Sequence, residues 1–389
     1  MNCGKTVLTQ VLGGLTGEEF ARCARLYPML RDTPALSAYD HFVAMVFAQL
    51  THRESLRDIE ACLAARRSVL YHSGIRGEVK RCNLAYANEH RDQQVFAEVA
   101  AVLMRRARRL YADQPAELDL DGDLFALDAS VIDLSMALFP WARWQGTQAA
   151  VKIDVLLDLK GDIPAFVSVH EADCHEVASL DEIPVSSGSH YVFDRAYVDY
   201  LRLHRLHLAG AFFVTRAKTT MRYYVVASRS VDKTTGLRCD QTIRLNSFKG
   251  RKSYPAVLRR VSYVDLESGQ RFVFLTNRFD LPALTIAMIY RRRWGIELFF
   301  RWIKQHLRLR GFFSNSYNGV RIQVWTALCS HLLVAIAKRE YALPGSLYQI
   351  LQVISISAFE KVPLAELFTK YVTINEHFDT PIQMEINGF

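Results

Sequence analysis

Apolar residues recur three and four positions apart through residues 1–115. GEEFARCARLYPML, YDHFVAMVFAQL, SLRDIEACLAARRSVLYHSG and DQQVFAEVAAVLMRRARRLYA all carry this spacing, which lines up one apolar stripe on a helix. A polar, proline-containing stretch, DQPAELDLDGD, closes this helical segment.

From residue 124 the period shortens to two. LFALDASVIDL alternates, and AVKIDVLLDL and IPAFVSVHEA follow it with KGD as a tight turn between them. These three read as neighbouring strands. A short helix near 176–182, the apolar strand HYVFD, the helix YVDYLRLHRLHLA and the strand AFFVTRAK come next. Three meandering strands followed by alternating helix and strand predict an α/β fold, a mixed sheet with helices on its faces. Residues 219–276 then read as antiparallel strands in RYYVVASRSV, QTIRLNSFKG, SYPAVLRRVSYVDL and QRFVFLTN. The helical period returns from Pro282 to Arg310, Pro282 suiting a first helical turn. VRIQVWTALCSHLLVAIA and LYQILQVISISAF predict two more buried helices.

Composition narrows the function classes. Half of the 389 residues are apolar (50%), enough for a large core. The net charge is +8 and the pI about 9.1, which favours a polyanionic partner. The block 219–276 holds 11 Lys/Arg against 4 Asp/Glu, so most of the excess sits on its strands. Seven scattered cysteines without a Cys-x-x-Cys predict reduced thiols and a cytoplasmic setting. The first twenty residues lack the features of a signal peptide. Uninterrupted apolar runs such as LLVAIA are far short of the roughly 18 residues of a membrane span, so no membrane partner is expected.

The candidate chemistry lies in YRRRWGIELFFRWIK, residues 290–304, read as one helix. At 100° per residue Tyr290, Arg293, Glu297, Arg301 and Lys304 share an arc of about 80°, while Ile296, Phe299, Trp302 and Ile303 face the other way. One acid between several cations makes a poor ion-pair ladder. Phosphates would partner Arg293, Arg301 and Lys304, and a divalent metal bridging carboxylate and phosphate oxygens would give Glu297 a role beside them. Such chemistry needs further carboxylates at strand ends. Asp128 in LFALDAS and Asp194 at the end of YVFD supply them. Asp133, Asp154, Asp158 and Asp199 compete. Asp133 falls on the opposite strand face from Asp128, and Asp199 falls within the following helix. HEADCHE brings His170, Cys174 and His175 together without regular zinc spacing. RRARR at 105–109 reads equally well as a solvated helix end.

Tyr290, Arg293, Glu297 and Lys304 match Tyr-x2-Arg-x3-Glu-x6-Lys, and the chain here resembles the insertion-sequence-four type of bacterial DDE transposases. FALDAS is similar to that family's first-Asp segment, VFDRAYVDY to its second, and FFVTRAK to the strand that follows. The resemblance covers roughly residues 124–335. It implies a ribonuclease-H-like core interrupted by a β-rich insertion. It makes Asp128, Asp194 and Glu297 a catalytic triad holding two divalent metal ions, Mg2+ with Mn2+ as substitute. Tyr290, Arg293 and Lys304 would contact DNA phosphates, Arg301 on the same stripe is expected to join them, and Lys152, which resembles a recurrent basic position, is expected to bind DNA as well. The expected organisation is a helical domain 1–115 for recognising terminal inverted repeats, core 120–218, insertion 219–276, second core part 277–345 and helical tail 346–389. The implied activity is metal-dependent cleavage and strand transfer on double-stranded DNA, by a homodimer in the synaptic complex. A nuclease without strand transfer and a non-catalytic DNA-binding descendant are the alternatives. Relatives that cut through a DNA hairpin can stack a flipped base on an aromatic, sometimes a Trp. The insertion here has no Trp, and Tyr223, Tyr224, Phe248, Tyr254 and Tyr263 are the aromatics weighed for that task.

Overall fold

A computed structural model describes residues 4–28, 36–115, 117–144, 148–173, 176–307 and 311–369. Cys174, His175 and the tail beyond 369 lie outside these residues. The described chain divides into two compact units, one built from residues 4–112, 132–151 and 300–369, the other from 113–131 and 152–299.

The first unit is helical. Its N-terminal helices are α1 to α7, at Val7–Leu12, Gly17–Leu26, Ala38–Leu50, Leu56–Ala65, Arg67–Leu70, Arg81–His90 and Gln94–Tyr111. Local chemistry sets several ends. Thr16 with Glu19 and Ser55 with Asp58 form capping boxes that satisfy the first N–H groups of α2 and α4. The stretch 55–74, expected as one helix, breaks at Arg66, where φ is −118° and ψ 21°, and ends at Gly74 with φ +86°. In the same unit the later helices Tyr317–Glu340 and Leu347–Ser357 (α12 and α13 below) complete the packing. The longer one packs on α7, α3, α6 and α1. It is buried from Ile322 to Ala337, and Tyr111 donates its hydroxyl to the carbonyl of Ala335 at 3.1 Å. Contrary to the reading from unbroken apolar runs, this helix is long and apolar enough to cross a membrane by length and composition. Its apolar window is 94% buried within the fold, as in the core helix of a globular unit.

The second unit is built on a mixed sheet. The sheet's strands are β1 (Leu124–Leu134), β3 (Gln148–Asp158), β4 (Ile163–Glu171), β5 (His190–Phe193), β6 (Phe212–Arg216), β7 (Tyr223–Arg229), β8 (Leu237–Leu245), β9 (Leu258–Val264) and β10 (Arg271–Thr276); residues 132–134 of β1 and 148–151 of β3 are counted with the first unit, as are residues 143–144. The two-residue β2 (Arg143–Trp144) pairs with the start of β3. The hydrogen-bonded order is β3-β1-β5-β6-β10-β9-β8-β7, with β4 also on β3. β5 runs parallel to β1 and β6, whereas β10, β9, β8 and β7 are antiparallel to their neighbours. The basic strands therefore extend the central sheet through β10. Their inner residues Ile243, Leu245, Leu258 and Leu275 share one core with Phe125, Leu127, Tyr191, Phe193 and Phe213. At the far edge, β7 is exposed along nearly its whole length.

Helix α8 (Tyr200–Leu208) follows β5, and Asp199 caps it by accepting the N–H of Arg202, so Asp199 stands before the helix and not within it. NSFKG, expected as the end of a strand, instead opens the short helix α9 (Phe248–Ser253), because Ser247 accepts the Gly250 N–H. Helices α10 (Ala283–Arg292) and α11 (Trp294–His306) precede α12 and α13 in the chain. α10 packs on β5, β6, β8 and β9.

The expected single helix over 290–304 is divided at Arg293. The Arg293 N–H bonds the Tyr290 carbonyl and the Ile296 N–H bonds the Arg293 carbonyl, both three residues back. That tighter, 3₁₀-type spacing interrupts the regular helical ladder there. Gly295 permits the turn's close docking, since a Cβ there would stand 3.1 Å from Leu159 and 3.2 Å from Asp162 at the β3–β4 turn. Arg292 fastens the joint by donating to the Leu159 carbonyl at 2.9 Å.

Candidate active site

Strand register brings the first two acids together. Parallel β1 and β5 pair Leu127 with Phe193, so Asp128 and Asp194 are each the next residue along. Adjacent strands lie about 4.8 Å apart and equivalent positions face the same side. β6 adds a third neighbour. Thr215 pairs with Phe193, which places Arg216 beside Asp194 at the same end of the parallel strands. Thr215 also donates its hydroxyl to the Asp194 carbonyl at 3.2 Å.

The α10–α11 joint closes the group. Arg293 donates through Nη1 to Asp128 Oδ2 at 3.2 Å and through Nη2 to Glu297 Oε1 at 2.5 Å. One guanidinium thus holds both acids, and its width bounds the separation of those two oxygens at about 8 Å. Tyr290 donates its hydroxyl to Asp194 Oδ1 at 3.0 Å, with its ring on Phe274 at 4.9 Å. The Arg293 guanidinium carbon lies 5.6 Å from the Tyr290 ring centre. The Arg293 side chain is only 14% exposed, against 23% for Asp128 and 31% for Glu297. Burial works against the Arg293 charge, but Tyr290, Asp128 and Glu297 outweigh it and hold its pKa above the ordinary value. Burial pushes the Tyr290 hydroxyl up as well; the Arg293 charge opposes this and Asp194 reinforces it, so the group stays a proton donor.

The remaining acids have other partners. Asp154 is 1% exposed, accepts from Ser179 Oγ at 3.3 Å and lies 3.7 Å from His170 Nε2. Burial raises its pKa, with Lys152 opposing. Asp158 accepts the Lys160 N–H at 3.1 Å in the β3–β4 turn. Asp133 is exposed in the helical unit.

The structure therefore groups Asp128, Asp194, Glu297, Tyr290 and Arg293. Lys152 is 3% exposed on β3. Arg301 is exposed and Lys304 half-buried on the part of α11 counted with the helical unit. Burial lowers the Lys304 pKa, with Asp133 opposing. Arg216 escaped the sequence reading. Its signal was its position directly after the apolar run FFVT, as Asp194 follows YVF. Among the aromatics weighed for base stacking, Tyr254 is fully buried and bonded to His207 Nδ1 at 2.7 Å, whereas Phe248 is 83% exposed and Tyr224 46%.

Among the described residues no three His, Cys, Asp or Glu side chains form a ready-made metal cluster. The donor set nevertheless suits a hard divalent cation, because carboxylate oxygens of Asp128 and Glu297 converge on one cationic group.

The transposase DDE domain model matches residues 119–333, and a model described as a domain of unknown function matches residues 3–76. A Sinorhizobium fredii protein named as a transposase is 33% identical over 288 residues, 73% of this chain and 79% of its own. A Geobacillus stearothermophilus protein, named as a transposase of an insertion sequence element, is 28% identical over 54% of this chain and 55% of its own. A similarly named Synechocystis protein is 25% identical over 69% of this chain and 75% of its own. A domain match across more than half of the chain, together with a transposase relative 33% identical over 73% of it, shows that this chain belongs to the DDE transposases.

Proposed function

We propose that this transposase binds the terminal inverted repeats of an insertion sequence and cuts and joins DNA with Asp128, Asp194 and Glu297 as its metal-holding carboxylates. Family membership makes DNA the substrate and divalent metal a general requirement. The observation that carries the assignment is the Leu127–Phe193 register, which sets Asp128 beside Asp194, together with the Arg293 tie from Asp128 to Glu297. The order β4-β3-β1-β5-β6, with parallel strands at its centre, supports a ribonuclease-H-like core.

In this reading the three carboxylates hold Mg2+ or Mn2+, which when bound supply activation of water or a 3′ hydroxyl and offset charge building on the phosphate. Tyr290 fixes one oxygen of Asp194 and leaves the other for a ligand. Arg293, Arg301 and Lys304 meet DNA phosphates. Lys152 acts from behind the surface, through its charge on Asp154. The strands and short helix of 219–276 present exposed Arg222, Arg244, Lys249, Arg251 and Lys252 to the backbone. Arg259 is not among them, because buried Asp240 holds it at 2.8 Å. The N-terminal helices recognise the repeats, two copies pair two ends, and the protein works in the cytoplasm.

The test combines the chain, a duplex carrying the terminal sequences that flank its own gene, and a target plasmid, in EDTA, Mg2+ or Mn2+. End cleavage and joining should appear only with metal and vanish in Asp128→Asn, Asp194→Asn and Glu297→Gln. Cleavage without joining would make the protein a nuclease. Binding without cleavage under every condition would make it a non-catalytic descendant.

A further inference from the structure

We infer that Arg293 is a place-holding cation: in the DNA-free protein its guanidinium fills the gap between Asp128 and Glu297, and a DNA phosphate must draw it away before metal can bridge them. This rests on the reading of those carboxylates as metal ligands and adds the order in which the site is assembled.

The geometry sets up a competition. Both nitrogens that Arg293 gives to the acids approach oxygens that a bridging metal would need. A metal would draw those oxygens to about 2.0–2.1 Å from itself for Mg2+, so guanidinium and metal cannot share the bridge. Removing the guanidinium with nothing in its place leaves two partly buried carboxylates repelling each other, which favours uptake of a metal cation there.

The arginine is also poised to leave. Its Nε is buried without a hydrogen-bond partner among the described residues, so the two carboxylates do not exhaust its donors. A phosphate offers two oxygens to the same planar fork. Its backbone lies in the turn between α10 and α11, outside the continuous hydrogen-bond ladder of either helix. DNA binding and metal binding are then coupled through one side chain, and each tightens the other by the same factor. The free protein is thereby kept from loading a bridging metal until an end is in place.

The experiment measures Mn2+ affinity of the full chain by calorimetry and Mn2+ electron paramagnetic resonance, with and without the end duplex. Wild type is compared with Arg293→Gln and Arg293→Lys. If the guanidinium occupies the pair nine-tenths of the time, the apparent Kd is raised about tenfold. Arg293→Gln should therefore bind Mn2+ about tenfold more tightly than wild type without DNA, and should gain less affinity when DNA is added. Arg293→Lys, which keeps the charge but cannot fork across both acids, should fall between them, and it decides the matter if the glutamine variant does not fold. Equal or weaker Mn2+ binding in the variants, with an unchanged gain from DNA, would overturn the proposal. Failure of the underlying reading looks different: Asp128→Asn and Glu297→Gln would then bind Mn2+ as well as wild type.

Discussion

Replacing Tyr290 by phenylalanine removes one oxygen and leaves the ring. Packing on Phe274 at 4.9 Å and Phe272 at 6.5 Å persists, so no cavity opens. What is lost is the 3.0 Å bond to Asp194 Oδ1. A hydrogen bond to a charged group contributes about 1.5–3 kcal/mol net. Partial exposure of Asp194 puts this one at the lower end, so urea unfolding should show a loss of about 1.5 kcal/mol with an unchanged slope. The larger consequence is for the metal. Freed from the hydroxyl, the Asp194 carboxylate can rotate, and losing an outer partner of this kind lowers metal affinity about 10–100-fold. Calorimetric titration with Mn2+ reads that change directly. DNA affinity in EDTA should stay constant, because Tyr290 is 6% exposed and its hydroxyl faces the acid. Weaker DNA binding in EDTA with unaltered Mn2+ affinity would instead make the hydroxyl a phosphate ligand.

Three other outcomes are expected. Asp240→Asn leaves Arg259 buried and charged without its carboxylate, and should lose about 3–5 kcal/mol of stability in urea; a loss under about 1 kcal/mol would contradict the pairing. Burial depresses His41 and His331 to about 3 and His190 to about 4, with Arg91 adding to the effect on His41 and Arg278 to that on His190. The unfolded chain takes up those protons near pH 6.5 while the folded chain refuses them. Stability should therefore fall as pH drops from 6.5 towards 4, by up to about 1.4 kcal/mol per unit for each histidine, and urea midpoints that stay flat over that range would exclude it. Changing Lys249, Arg251 and Lys252 together to alanine should make DNA binding less sensitive to salt. The log–log slope should shrink by about 0.9 for each phosphate these side chains neutralise, measured by fluorescence anisotropy; an unchanged slope would remove α9 from the interface.

Much of the site was legible because its parts sit at ends of simple patterns. Asp128 interrupts an alternating strand and Asp194 follows an apolar one, and both positions are visible without coordinates. Their adjacency is not, because it depends on the Leu127–Phe193 register, a property of two strands far apart in the chain. The break at Arg293 was hidden for a related reason. YRRRWGIE has a helical period on both sides, and the turn is imposed by docking of Gly295 on the β3–β4 turn. Glu297 thus finds a partner four residues back in Arg293, which answers its apparent isolation among cations, while the same guanidinium reaches Asp128 on another element. Helix α9 was missed because Ser247 could end a strand or cap a helix with equal local plausibility. The role of α12 was concealed by its composition, since a helix apolar on all sides does not announce which partners will bury it.

In the proposed site Asp128 on β1, Asp194 just past the end of β5 and Glu297 on α11 share metal. A crystal structure of the chain bound to its end duplex and soaked in Mn2+ tests it most directly, through anomalous scattering at the manganese edge. Anomalous peaks should lie among the carboxylates of Asp128, Asp194 and Glu297, with the Arg293 guanidinium moved onto a DNA phosphate. Manganese bound elsewhere, with Arg293 still bridging Asp128 and Glu297 in the DNA complex, would contradict it.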